Sequence, residues 1–169
     1  MTIRTATLED VKDIATIHVK AWQAAYKGLI PQSYLDNLSI TKRDRAWQNI
    51  LTSAKTHTIV QEINGLVVGF ANFGNTRDRD KDSTITGEIT SIYLNPEHWR
   101  KGLGTALFEF ILRDMKNRGF TQITLWVLDR NHLACSFYQK MGFKPDGAIK
   151  IDIRENFELK ELRYSRNLI

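Results

Sequence analysis

Apolar residues recur every three or four positions from Val11 through Ile14, Ile17, Ala21 and Ala25, the spacing of one buried helix face. Thr7 precedes this run and Asp10 stands three residues on, a capping-box arrangement with the shorter acid. The pattern predicts a helix over Thr7–Tyr26, stopped by Gly28 and Pro31 and preceded by a short strand over Thr2–Ala6. "QSYLDNL" and "KRDRAWQNILTSA" (Lys42 to Ala54) predict two shorter helices. The period then changes to two. "HTIVQEI" and "LVVGFANF" flank Asn64-Gly65, the dipeptide most suited to a tight hairpin. "NTRDRDKDS" (Asn75 to Ser83) reads as a solvated charged turn, and "TITGEITSIYL" as a strand ending at Asn95-Pro96. Next come a helix over 103–118 closed by Gly119, a strand over 120–128, and a helix "HLACSFYQKM" capped by Asn131 and stopped by Gly142. "AIKIDI" and "FELKELRYSRNL" form a final antiparallel pair. No linker or repeat interrupts the chain, which predicts one α/β domain over residues 1–169 with a mostly antiparallel sheet. Strand 84–94, helix 103–118 and strand 120–128 make a crossover unit, so those two strands should be parallel neighbours.

Composition narrows the setting. The chain has 169 residues, 42% hydrophobic and 25% charged, ordinary for a globular protein. A formal charge of +5 is spread without a basic block, which gives nucleic-acid binding little support and suits a small anionic ligand equally well. One cysteine, Cys135, rules out an internal disulfide framework, and no metal-ligand spacing of Cys or His is present. The N-terminus lacks the apolar run of a signal peptide and no stretch reaches membrane-span length. The expectation is a cytoplasmic protein without membrane, nucleic-acid or metal partners.

Candidate chemistry concentrates at "RKGLGTAL". Arg100 and Lys101 lead into Gly102-Leu103-Gly104, and an apolar helix pattern follows at once. Glycine admits close approach to the main chain, and a helix start offers unpaired N–H groups and the positive end of its dipole. This is the chemistry of an anion site, phosphate above all. A Walker loop is excluded, since it needs four residues between its glycines and a Gly-Lys-Ser/Thr ending. A dinucleotide fingerprint is excluded as well, because its third glycine would fall at Leu107.

"SIYLNPEHWRKGLGTAL" resembles motif A of the GCN5-related N-acetyltransferases, Gln/Arg-x-x-Gly-x-Gly/Ala, with Gly102 and Gly104 on its glycines and Trp99 where Gln or Arg is usual. "NHLACSFYQKMGF" resembles motif B of the same family, matching at Asn131, Ala134, Phe137, Tyr138, Gly142 and Phe143. The resemblance implies the GNAT fold: a mixed, mostly antiparallel sheet of about seven strands, helices on both faces, and a central parallel pair. It implies transfer of an acetyl group from acetyl-CoA to a primary amine in a ternary complex.

Residue roles follow from the resemblance. Ile92, Tyr93 and Leu94 would pair with the pantetheine arm and stabilise the oxyanion. Arg100, Lys101, Gly102, Leu103, Gly104 and Thr105 would hold the pyrophosphate, and Asn131 would contact the cofactor. Glu88 would be the general base and Tyr138 the general acid. Glu88, Thr90, Ile92 and Leu94 share one side of the strand unless a bulge intervenes. Trp22, Tyr26, Phe73 and Trp126 are candidates for the acceptor site. A small-molecule amine is the expected acceptor. Acetylation of a protein or peptide N-terminus, or a non-catalytic acyl-CoA-binding module, are the alternatives. The late strands offer an edge at which a second copy could pair to give a homodimer.

Overall fold

The computed structural model describes residues 1–53, 55–154 and 156–168. A seven-stranded sheet runs through it in the order β1-β2-β3-β4-β5-β7-β6. The strands are β1 (Thr2–Thr5), β2 (His57–Ile63), β3 (Leu66–Asn75), β4 (Thr86–Leu94), β5 (Gln122–Leu128), β6 (Lys144–Arg154) and β7 (Phe157–Asn167). The helices are α1 (Val11–Ala25), α2 (Gln32–Asp36), α3 (Ile40–Ser53), α4 (Leu103–Asn117) and α5 (His132–Lys140). Ala54, the expected last residue of the third helix, lies outside the described residues. Among the described residues, β4 and β5 are the one parallel pair of neighbouring strands, and the other neighbours are antiparallel. The fold is therefore the mixed α/β sheet that the sequence predicts.

Local signals act as expected at several places. The Thr7 main-chain N–H donates to Asp10 Oδ2 at 2.7 Å, and Arg4 clamps the same carboxylate with two 2.8 Å bonds. Asn64 and Gly65 take positive φ values of 52° and 78°, as a type I′ hairpin turn requires. The Asn131 side chain accepts from Ala134 N and caps α5.

Two apolar layers sandwich the sheet. Leu107, Phe108, Ile111 and Met115 of α4 pack on Ile59, Phe73, Ile89, Ile123 and Leu125. Val11, Ile14, Ala15 and Ile17 of α1, with Trp47 of α3, pack on Val60 and Phe70 on the opposite face. Phe73 is fully buried in the α4 layer. Its expected place in an acceptor site is thus corrected: its strand position turns the ring into the core.

Within the α1 layer, His18 is buried and stacks on Tyr93 with ring centroids 4.9 Å apart. Its Nδ1 accepts a 3.0 Å bond from Trp47 Nε1, which fixes that nitrogen unprotonated. Burial, and secondarily the Arg43 charge, hold its pKa down at about 3. The unfolded chain then binds a proton that the native state refuses, so stability is full above about pH 6.5 and falls as the pH drops toward the folded value. Denaturant unfolding between about pH 6.5 and 4.5 should lose up to roughly 1.4 kcal/mol per pH unit through this group. His18→Gln should flatten that window; an unchanged profile would show that His18 does not set it.

Two segments depart from the sequence reading. β6 begins at Lys144 rather than near Ala148, because Pro145 pairs with Tyr164 and a bulge before Ile149 absorbs Asp146-Gly147-Ala148, with Gly147 at φ 93°. The charged stretch before β4 is no free solvated turn. It forms a strap laid across β4, β5 and β7. Arg77 donates to Glu88 through its main-chain N–H, Nε and Nη2. Asp78 accepts from Trp126 Nε1 at 3.3 Å, and Asp80 accepts two bonds of 2.8 and 2.6 Å from Arg163. Lys81 meets Asp146. Arg163 is buried among three carboxylates, Asp78, Asp80 and Asp146, and without them its charge would be strongly unfavourable there.

Candidate active site

The centre of the molecule is decided by one extra residue. Asn72 of β3 lies opposite Ser91, whereas Phe73 lies opposite Ile89, so Thr90 is a bulge in β4. Thr90 Oγ1 meets Asn72 Oδ1 at 2.6 Å, and the Asn72 amide donates to Thr56 and Thr58, so buried side chains pin the bulge. Side-chain parity reverses across it. Ile89, Ile92 and Leu94 join the α4 layer, while Tyr93 joins the α1 layer. Gly87 faces α4, since a Cβ there would strike Met115 Cε at 2.2 Å. Glu88 therefore looks to the other side. The expectation that Glu88, Thr90, Ile92 and Leu94 share one face fails for this reason.

The second deciding feature is where the parallel pairing stops. β4 and β5 pair from Thr86↔Gln122 to Ile89↔Leu125 and then separate. β5 stays in the sheet through β7 as far as Leu128↔Glu161, and β4 through β3 as far as Gly69↔Leu94. The gap between them opens a cleft of about 500 Å³. Ile92, Tyr93 and Leu94 line one wall; Trp126, Val127 and Leu125 line the other. Asn131 and Tyr138 come from α5, Tyr26 from the end of α1, and Arg100, Gly102, Gly104 and Thr105 from the turn into α4.

That turn is built from special backbone. Arg100 and Gly102 take φ values of 59° and 78°, and Gly102 is the N-cap of α4. The first main-chain N–H groups of α4 have no intrahelical acceptor, and the cleft lies against them. Gly104 has ordinary φ, and a Cβ there would meet nothing closer than Leu94 Cδ1 at 3.5 Å and Phe137 Cζ at 3.8 Å. Protein packing does not require its glycine; the free space in front of it belongs to the cleft. Trp99 donates its indole N–H to the Leu94 carbonyl at 3.0 Å and so ties the turn to the end of β4. That bond gives the unusual tryptophan a structural task.

Tyr138 is packed beside Phe108 and Phe137, with ring centroids 5.8 and 5.6 Å away. Burial, and to a smaller degree Tyr93 and Cys135, push its phenol pKa well up, so it keeps its proton through the neutral range. Tyr93 accepts from Trp22 Nε1 at 3.0 Å. Tyr26 stands edge-on to Trp22 at 4.9 Å, and burial raises its pKa.

Some sequence candidates lie elsewhere. Glu88 is 1% exposed, is absent from the cleft lining, and is bound by Arg77. Trp22 does not line the cleft itself and stands behind Tyr93 and Tyr26, which do. Lys101 turns back to the Glu97 carbonyl at 3.0 Å, and the Leu103 side chain is buried below the turn. Conversely, the sequence reading missed Ala21, Ala25, Ser136 and Lys140 as lining residues. The two alanines had a usable signal, being the small members of the α1 stripe. A more open hollow of about 560 Å³ between Lys27, Gln32, Arg130 and Phe157 contains none of the predicted residues. Among the described residues no cluster of His, Cys, Asp or Glu could hold a metal, and no helix is long and apolar enough to cross a membrane.

Residues 18–143, which hold the whole cleft, match the model of the acetyltransferase (GNAT) family. The chain belongs to that family. It is 35% identical over 167 residues to the uncharacterized N-acetyltransferase YuaI of Bacillus subtilis strain 168, covering 96% of this chain and 88% of that protein. The spermidine N(1)-acetyltransferase of Thermoplasma acidophilum is 24% identical over 147 residues, 84% of this chain and 87% of that one. Among solved structures, yncA of Salmonella typhimurium, a putative acetyltransferase with its cofactor acetyl-CoA, superposes with a TM-score of 0.74 at 25% identity, covering 100% of this chain and 94% of that one. An N-acetyltransferase of Staphylococcus aureus Mu50 gives 0.77 at 24% identity, with 99% and 98% covered. The fold and the GNAT acetyltransferase class thus agree with the motifs.

Proposed function

We propose that the protein transfers the acetyl group of acetyl-CoA directly to a small primary amine held with it in the cleft. The observation that carries this reading is the opening between β4 and β5 beyond Ile89, which leads from the α4 turn to Tyr138. The pyrophosphate would lie on the N–H groups of the α4 turn, assisted by Arg100. The pantetheine arm would run along Ile92–Leu94 as a missing strand would. Main-chain N–H groups there would stabilise the oxyanion formed on attack, and Tyr138 would give its proton to the departing thiolate. The acceptor would enter from the side of Tyr26, Tyr93 and Trp126. An amine is mostly protonated at neutral pH and must lose a proton before it attacks. Glu88 lies on the same strand as the cleft wall but behind it, so it would act through water. The Arg77 side chain, 69% exposed, would also have to release it. The named activity of the spermidine relative supports a small amine as acceptor.

The test is a panel of polyamines, amino acids and N-terminal peptides with acetyl-CoA, read by free thiol. Thiol release should depend on a small amine, and Glu88→Gln should lower kcat/KM by about 10²-fold. If acetyl-CoA binds but no amine raises thiol release above hydrolysis, the chain is a binding module instead. Release with peptides alone would move the acceptor to a protein terminus.

A further inference from the structure

Gln61 of β2 is fully buried on a side of the sheet that is otherwise apolar. Ile59, two residues earlier on the same side of the strand, belongs to the α4 layer. The Gln61 side chain reaches the start of α4, where its Nε2 donates to the Leu103 main-chain carbonyl at 3.3 Å. The second amide hydrogen goes to Met1 Sδ at 3.2 Å, a weak acceptor. Its Oε1 has no partner among the described residues. An apolar side chain would fill this place without an orphaned oxygen, whose burial is costly. The Leu103 carbonyl does not require the amide either. Leu103 is the first residue of α4, and in an α-helix its carbonyl accepts from the N–H four residues on. Packing and helix formation thus leave Gln61 without a task.

The cross-strand register supplies one. Gln61 pairs with Gly69, and Gly69 with Leu94, so one rung crosses β2, β3 and β4 at the turn into α4. A Cβ at Gly69 would strike Leu94 Cδ2 at 2.3 Å, so the glycine makes room for that side chain. Leu94 in turn stands beside Gly104, and its carbonyl holds the Trp99 indole. Gln61 does not line the cleft and touches the turn from behind. Leu103 C=O and Gly104 N–H belong to one planar peptide group and point in opposite directions. A hydrogen bond to the oxygen fixes the plane of that group. It also draws charge toward the oxygen, which makes the N–H a stronger donor. Gly104 lines the cleft. We infer that Gln61 is a positioning residue for acetyl-CoA binding: through the Leu103 carbonyl it aims and polarises the Gly104 N–H toward the pyrophosphate, which it does not itself touch. This role rests on the reading that the pyrophosphate lies on the α4 turn.

The experiment compares calorimetric dissociation constants for CoA and for pantetheine, which lacks the pyrophosphate, beside thermal melting without ligand. The wild-type protein should bind CoA far more tightly than pantetheine. Gln61→Met keeps the length of the side chain and loses the donor. It should weaken CoA by about three- to tenfold, the range for one hydrogen bond, and leave pantetheine within about twofold. It should melt no lower than the wild type, because the orphaned oxygen is gone and the Leu103 carbonyl keeps its helix bond. Gln61→Leu is the second apolar variant and should behave alike. A residue that served packing alone would lower the melting temperature and would not separate the two ligands. CoA affinity unchanged in both folded variants would overturn the inference, and so would equal losses for CoA and pantetheine. A wild-type protein with no preference for CoA over pantetheine would overturn the pyrophosphate reading, and the role of Gln61 with it.

Discussion

Phenylalanine at position 138 should lower kcat by about 10²- to 10⁴-fold, the range for loss of a positioned general acid, while the dissociation constant for acetyl-CoA stays within about twofold. The substitution removes one hydroxyl and keeps the ring. Its packing against Phe108 and Phe137 is aromatic and needs no oxygen. Burial raises the phenol pKa, so the group is protonated throughout the neutral range and is ready to give its proton to a thiolate. For the same reason the wild-type rate should show no titration of this group below about pH 10, the usual tyrosine value. Steady-state kinetics with a thiol readout, beside calorimetric binding of acetyl-CoA, separate the two effects. A variant with full turnover would return Tyr138 to the status of a core aromatic.

Leucine at position 104 should abolish acetyl-CoA binding, with affinity down at least about a hundredfold, and should leave the fold intact or slightly firmer. The two signs come from separate causes. Replacing glycine near a helix start with a good helix former favours the helix by up to about 1 kcal/mol. The added Cβ meets nothing closer than 3.5 Å, an ordinary contact. The rest of the side chain must occupy the space in front of the turn, where the pyrophosphate is proposed to lie. Gly102 makes the contrast. Its φ of 78° would strain any other residue by roughly 1–2 kcal/mol, so a substitution there confounds stability with binding. Thermal melting with and without acetyl-CoA reads both quantities. A Gly104→Leu variant that still melts higher with acetyl-CoA would remove the turn from the binding site.

What the sequence made legible was local. The hairpin at Asn64-Gly65, the caps at Thr7 and Asn131 and the crossover around α4 each depend on residues a few positions apart. The two motifs were legible for the same reason, since each is one turn and one helix start. The bulge at Thr90 was not, because threonine carries no bulge signature and its anchor is Asn72, on another strand. It decided the side on which Glu88 stands. The strap was missed because its meaning lies in partners far along the chain: Asp80 holds Arg163 across 83 positions. From sequence, alternating acids and bases there look like solvated surface. Phe73 was misplaced because strand alternation says which residues share a face but not which face holds the ligand. The start of β6 at Lys144 was not legible, because the alternation marks only Ala148 to Ile153 and the tolerance of an edge strand for a bulge is not a local signal.

β4 starts beneath the strap and finishes at the turn tied by Trp99. If the proposed roles hold, the acceptor is governed from the first end of this strand and the donor from the second. Changes of length or charge in the loop could then alter which amine is chosen while the thioester remains where it was. A lineage could explore new acceptors in that loop without rebuilding its grip on the shared acetyl carrier.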